Sequence, residues 1–109
     1  MAYDIHLAER VSKILTTEHP TEKKMFGGVG YLIKGNMACG VHTDNLIVRV
    51  GKDLYIKSLS RPFAKPFDLT GKAMSGWVEV TPAGTRDDKD LTEWIRMGVE
   101  FARTLPPKE

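Results

Sequence analysis

One continuous stretch, residues 23–50, most constrains what this 109-residue chain can fold into. It reads KKMFGGVGYLIKGNMACGVHTDNLIVRV and divides into three apolar runs separated by turn signals. Residues 24–34 are apolar with interspersed glycines, and Gly35-Asn36 is a turn signal. Residues 37–41 form a short second run, residues 42–45 a polar turn, and residues 46–50 a β-branched third run. The pattern predicts three consecutive antiparallel strands, which the rest of the chain must cover. In the first, Met25, Val29, Tyr31 and Ile33 alternate onto one face, with Phe26 and Leu32 on the other. Gly27, Gly28 and Gly30 lie between them and point to a bulge, a sharp twist or close approach by another backbone. In the second, Met37, Cys39 and Val41 oppose Ala38 and Gly40; in the third, Leu46, Val48 and Val50 alternate with Ile47 and Arg49.

The flanking segments supply that cover. Leu7, Ala8, Val11, Ile14 and Leu15 recur at helical spacing, which predicts a helix from Asp4 to about Glu18. Asp4 is placed to cap it, and His19-Pro20 to end it, since proline disfavours the α conformation in the preceding residue. Residues 52–59 fit a short helix slightly better than a strand, and residues 61–66 (RPFAKP) read as a loop. A brief edge strand is expected over 66–69, where the missing donor of Pro66 does no harm, and a final strand over 74–81, closed by Pro82-Ala83-Gly84. The last helix is the clearest element. Leu91, Trp94, Ile95, Gly98, Phe101, Ala102 and Leu105 share one face, Asp90 and Glu93 have capping-box spacing, and Pro106-Pro107 ends it. The expected architecture is a single α+β domain over residues 1–109. It is an antiparallel sheet of about five strands with helices packed on it, in the order α-β-β-β-α-β-β-α.

Charge and composition narrow the function classes. A net charge of +2 is too mild to announce nucleic-acid binding, which usually brings a dense basic patch. The one cysteine, Cys39, excludes an internal disulfide and a cysteine-based zinc site within one chain. Acidic Asp4 and Glu9 inside a periodic pattern do not resemble a signal peptide, and no apolar run approaches a membrane span. A cytoplasmic location, without membrane attachment, is the expectation.

No motif carries chemistry, and neither a catalytic residue, a cofactor nor a metal is expected. The glycines of residues 26–30 lead into a strand, whereas phosphate-binding loops need G-x-x-x-x-G-K-[ST] or G-x-G-x-x-G leading into a helix. Gly71-Lys72 fails similarly, because Ala73 stands where the hydroxyl belongs. His6, His19 and His42 are scattered and make no metal motif. Cys39 and His42 could approach across a hairpin, with Asp44 the one local acid, but a nucleophile needs a base oriented by a third group. A buried cysteine acting as a small apolar side chain is the better account. Asp87, Asp88 and Asp90 lack the ligand spacing of a calcium loop and suit a helix N-terminus instead.

Several motifs together resemble the TfoX N-terminal domain family. Lys24-Met25-Phe26-Gly27-Gly28-Val29-Gly30 looks like that family's opening strand, and residues 46–50 (LIVRV) its third-strand motif. Arg61-Pro62-Phe63, Pro66-Phe67, Gly71-Lys72-Ala73-Met74 and Gly76-Trp77-Val78 fit its central motifs, and residues 91–106 its closing helix. The resemblance covers nearly the whole chain. It implies a small α+β fold akin to secretion-chaperone-like domains, and kinship with regulators of natural competence that act together with the cyclic-AMP receptor protein. Those regulators carry a second, helical C-terminal domain, and this chain ends at Glu109 before any counterpart. The resemblance brings no catalytic residues with it.

The expected function is therefore a non-catalytic regulatory module working through a protein partner, with a homodimer through an open strand edge as a further expectation. The candidate surface combines Phe26, Gly27 and Gly28 with Arg61, Phe63, Lys65, Phe67 and Lys72. The alternative is direct nucleic-acid binding by residues 57–72, where Lys57, Arg61, Lys65 and Lys72 interleave with Phe63 and Phe67. An enzyme using Cys39 and a small-molecule sensor are the remaining classes.

Overall fold

The structure is a computed structural model and describes residues 3–25, 27–68, 71 and 73–107. Along the chain run α1 (Ile5–Ile14), a 3-10 turn (Thr16–Glu18), β1 (Thr21–Met25), β2 (Gly28–Ile33), β3 (Asn36–His42) and β4 (Asn45–Arg49). They are followed by α2 (Lys52–Leu59), β5 (Ala64–Pro66), β6 (Trp77–Val80), α3 (Pro82–Thr85) and α4 (Asp88–Arg103). All six strands join one antiparallel sheet in the order β1-β2-β3-β4-β6-β5. The α+β class and the broad order of elements agree with the sequence reading, but the sheet has six strands where about five were expected.

The additional strand is β1, which joins residues 21–23 to the first residues of the stretch 24–34, because that stretch does not run straight. The chain reverses between Met25 and Gly28, with Gly27 at φ 73°, a value that costs glycine nothing. Two strands form a hairpin where one was expected. The next turn also moves by one residue. Lys34 and Gly35, both at positive φ, make the two-residue connection, and Asn36 opens β3 instead of turning. Asn36 is buried, and its side-chain amide donates to the Pro106 carbonyl at 2.9 Å, tying the sheet to the exit of α4. A bulge separates Tyr31–Cys39 from Leu32–Met37 in the β2–β3 ladder. Met37 consequently leaves the face it was expected to share with Cys39 and Val41.

The helices cover one face of this sheet. Val29, Tyr31, Ile33, Cys39, Val41, Leu46, Val48, Val78 and Val80 meet Leu7, Ala8, Val11 and Leu15 of the N-terminal helical segment and Leu91, Trp94, Ile95, Val99 and Ala102 of α4 in one buried cluster. The helix ends follow local chemistry. The Asp4 carboxylate accepts from the Leu7 amide at 3.1 Å, as expected of the cap. Pro20 follows a left-handed His19 at the end of the 3-10 turn. The cap of α4 is Asp87, which accepts from the Lys89 amide at 2.8 Å; Asp90 lies one turn inside, where its charge suits the helix dipole. Arg10 Nη2 donates to the Thr85 carbonyl and to Asp88, both at 2.8 Å, and so joins α1 to the α3–α4 corner.

At the far edge, the brief strand expected over 66–69 lies at Ala64–Pro66, and Leu69 is outside the described residues. Residues 74–76 turn instead of extending, with Gly76 at φ 93°, so β6 begins at Trp77. Pro82-Ala83-Gly84, expected to close the final strand, does so within a single helical turn, α3.

Candidate interaction surface

The sheet face away from the helices carries its own, smaller apolar cluster. Ile47 of β4 and Phe67, just past β5, are 2% and 4% exposed, yet neither belongs to the main core. Phe67 is held by its backbone, donating to the Trp77 carbonyl at 3.4 Å and accepting from the Met74 amide at 3.0 Å. Its ring then folds back over the sheet. It meets His42 edge-on at a centroid distance of 6.2 Å and Trp77 at 6.4 Å.

Trp77 in turn stacks under Arg49, whose guanidinium carbon is 5.2 Å from the indole and 5.4 Å from the Phe101 ring of α4. A row of His42, Phe67, Trp77, Arg49 and Phe101 thus crosses from β3 to the C-terminal half of α4. Beside it, Asn45 donates to the Glu79 carboxylate at 2.6 Å. Beyond the end of the row lies a groove of about 600 Å³ lined by Val50, Leu54, Met97 and Phe101, among others. No sequence signal paired Arg49 with Phe101, because a contact between a strand end and a helix 52 residues later has no periodicity.

The residues singled out by sequence do not form one surface. The β1–β2 turn with Gly27 and Gly28 and the β5 strand with Lys65 belong to opposite edges of the sheet. Arg61 and Phe63 lie on the helix side. Arg61 places its guanidinium carbon 4.2 Å over the Trp94 ring, donates to Met97 Sδ at 3.4 Å and pairs with Glu93 at 3.1 Å. Phe63 is exposed and at φ 69°, an uncommon conformation for a bulky residue, and its carbonyl accepts from the Thr81 amide at 3.0 Å. Lys65 pairs in register with Glu79 on the opposite face, toward Phe67. The sheet therefore separates Arg61 and Phe63 from Lys65 and Phe67. Lys57 is exposed on α2. Phe26 and Lys72 lie outside the described residues.

Cys39 and His42 are also divided by the sheet. Cys39 is fully buried in the helix-side core, and His42 packs on Phe67. Burial raises the Cys39 thiol from 9.0 to about 12. Tyr31 is likewise raised to about 12, chiefly by burial, while its hydroxyl donates to the Ala8 carbonyl at 3.0 Å. Both groups hold their protons more tightly when folded, so stability is expected to be intact below pH 9 and to fall as pH rises toward about 12. Urea midpoints measured between pH 8 and 11 check the slope, and Cys39→Ala should flatten its first part. A thiol reagent at pH 8 should label the native protein far more slowly than the urea-unfolded chain.

Among the described residues, no group of three or more His, Cys, Asp or Glu side chains is placed to share a metal ion. No helix among them is long and apolar enough to cross a membrane. In comparisons with known proteins, the family model of the TfoX N-terminal domain matches residues 15–102 of the 109-residue chain. No curated protein matches it.

Proposed function

From the premise that this chain belongs to the TfoX N-terminal domain family, we propose that it is a non-catalytic, cytoplasmic regulatory module acting on transcription through a protein partner. The observation that carries this reading is the row of His42, Phe67, Trp77 and Arg49 on a sheet face without helices. Half-buried tryptophan and arginine beside other aromatics are what protein interfaces enrich, since rigid rings offer large contact area at little entropic cost. Lys65 stands on the same face and supplies a rim charge. Family kinship makes the cyclic-AMP receptor protein the first partner to try.

Direct nucleic-acid binding is the less favoured reading because its basic segment is interrupted. Arg61 is engaged by Trp94 and Glu93 on one side of the sheet, and Lys65 projects from the other. A shared binding experiment separates the two. Labelled single- and double-stranded DNA titrated across a salt series should show no binding at physiological salt. The partner should bind the wild type and lose about tenfold or more in affinity with Trp77→Ala, the range of an aromatic hot spot. Salt-sensitive DNA binding abolished by Arg61→Ala/Lys65→Ala would reverse the order of the readings.

A further inference from the structure

The outer edge of β1 has a geometry that suits a second copy of the same strand. β1 is the outermost strand, and residues 21–24 are all exposed. Which of its backbone groups face outward follows from its neighbours. Gly30 and Gly40 stand directly opposite in the β2–β3 ladder, and a Cβ added to Gly40 would lie 3.3 Å from the Gly30 α-carbon. That closeness marks the narrow pair, which exchanges no hydrogen bonds. Gly30 therefore turns its amide and carbonyl toward its partner on the other side, Lys23. The two-residue connection between Met25 and Gly28 gives the same parity. By alternation, Glu22 and Lys24 direct their N–H and C=O groups away from the sheet.

We propose that β1 pairs antiparallel with β1 of a second copy about a two-fold axis through Lys23. Glu22 then faces Lys24 of the second copy, and Lys24 faces its Glu22. The outward amides and carbonyls of these residues form four backbone hydrogen bonds. The same two positions bring opposite charges directly across from each other, twice. Neighbouring symmetric registers do not match this. An axis through Glu22 sets Glu22 against itself and Lys24 against Pro20, which has no amide hydrogen; an axis through Lys24 sets Lys24 against itself. Lys23 does meet its own copy on the axis, but on the other face of the ribbon, where a long side chain can turn to water.

The two-fold axis keeps the helices of both copies on the same side, and the two six-stranded sheets become continuous. The other sheet edge cannot serve. Ala64 and Pro66 are the outward residues of β5; the Ala64 amide bonds the Arg61 carbonyl at 3.3 Å, and Pro66 has no amide hydrogen. This inference does not depend on the regulatory reading.

Sedimentation equilibrium over a concentration series tests it. The wild type should dimerise. Glu22→Lys and Lys24→Glu alone should each raise the dimer dissociation constant about tenfold or more, and the double exchange Glu22→Lys/Lys24→Glu should restore it. Lys24→Pro removes an outward amide and the Lys24 charge but no hydrogen bond to β2, so it should abolish the dimer while circular dichroism and thermal melting report a folded protein. A wild type that remains monomeric at several hundred micromolar overturns the proposal, as does a dimer that survives Lys24→Pro.

Discussion

Replacing Gly98 by alanine is expected to destabilise the protein by about 3 kcal/mol, the upper part of the range for overpacking a close contact. Gly98 sits on the buried face of α4, over the β3 bulge. A Cβ built there would lie 2.2 Å from the Ala38 carbonyl oxygen, 3.0 Å from its carbon and 3.3 Å from Val48 Cγ1. The first two are backbone atoms and cannot rotate aside. Alanine also brings a helix-propensity gain of about 1 kcal/mol, which alone would make the variant more stable. The contact wins because α4 must retreat by on the order of 1 Å, and such a gap forfeits a quarter to a half of the dispersion wells along the seam. That seam includes Trp94, Ile95 and Ala102, all buried. A fall in melting temperature of roughly 10–20 °C should follow for a domain of this size. A variant as stable as the wild type would mean that α4 and the bulge do not approach this closely.

Gly98 also marks how far the sequence could be read. Its place on the apolar face of the last helix was evident from period alone, as was the Asp4 cap, because both depend on neighbours within one or two turns. The hairpin at Gly27 was not legible. Residues 24–34 read as one apolar run with interspersed glycines whether they run straight or reverse, and the only mark of reversal was a pair of glycines that also fits a bulge. The bulge at Ala38 was equally hidden, since it is defined by the partner strand and not by its own residues. For the candidate surface the limit was topological. Residues 61–67 are contiguous and look like one basic and aromatic patch, but Arg61 and Phe63 precede β5 and the positive φ at Phe63 breaks the alternation, so they fall on the helix side while Lys65 and Phe67 fall on the other. The row from His42 to Phe101 joins segments that only the strand order β3-β4-β6 and the position of α4 bring together.

Truncating Trp94 to alanine should cost about 4 kcal/mol, the usual range for a large aromatic removed from a core. Trp94 is 2% exposed and packs in the main core cluster. Its outer ring face is closed by Arg61, 4.2 Å away. Arg61→Ala should cost only about 1 kcal/mol, because its ion pair with Glu93 is partly solvated and the stacking supplies most of the effect. The informative quantity is their coupling. In Trp94→Ala the guanidinium loses its platform, so the penalty of Arg61→Ala should shrink by about 0.5–1 kcal/mol in the double variant. Arg61→Lys should recover less than half of the loss, since an ammonium cannot lay a planar cation on the indole. Such coupling would identify Arg61 as part of the helix-side packing, and any DNA affinity lost in Arg61→Ala would then need comparison with Arg61→Lys at equal net charge. Additive penalties, with Arg61→Lys equivalent to wild type, would instead return Arg61 to the solvent as a free surface charge.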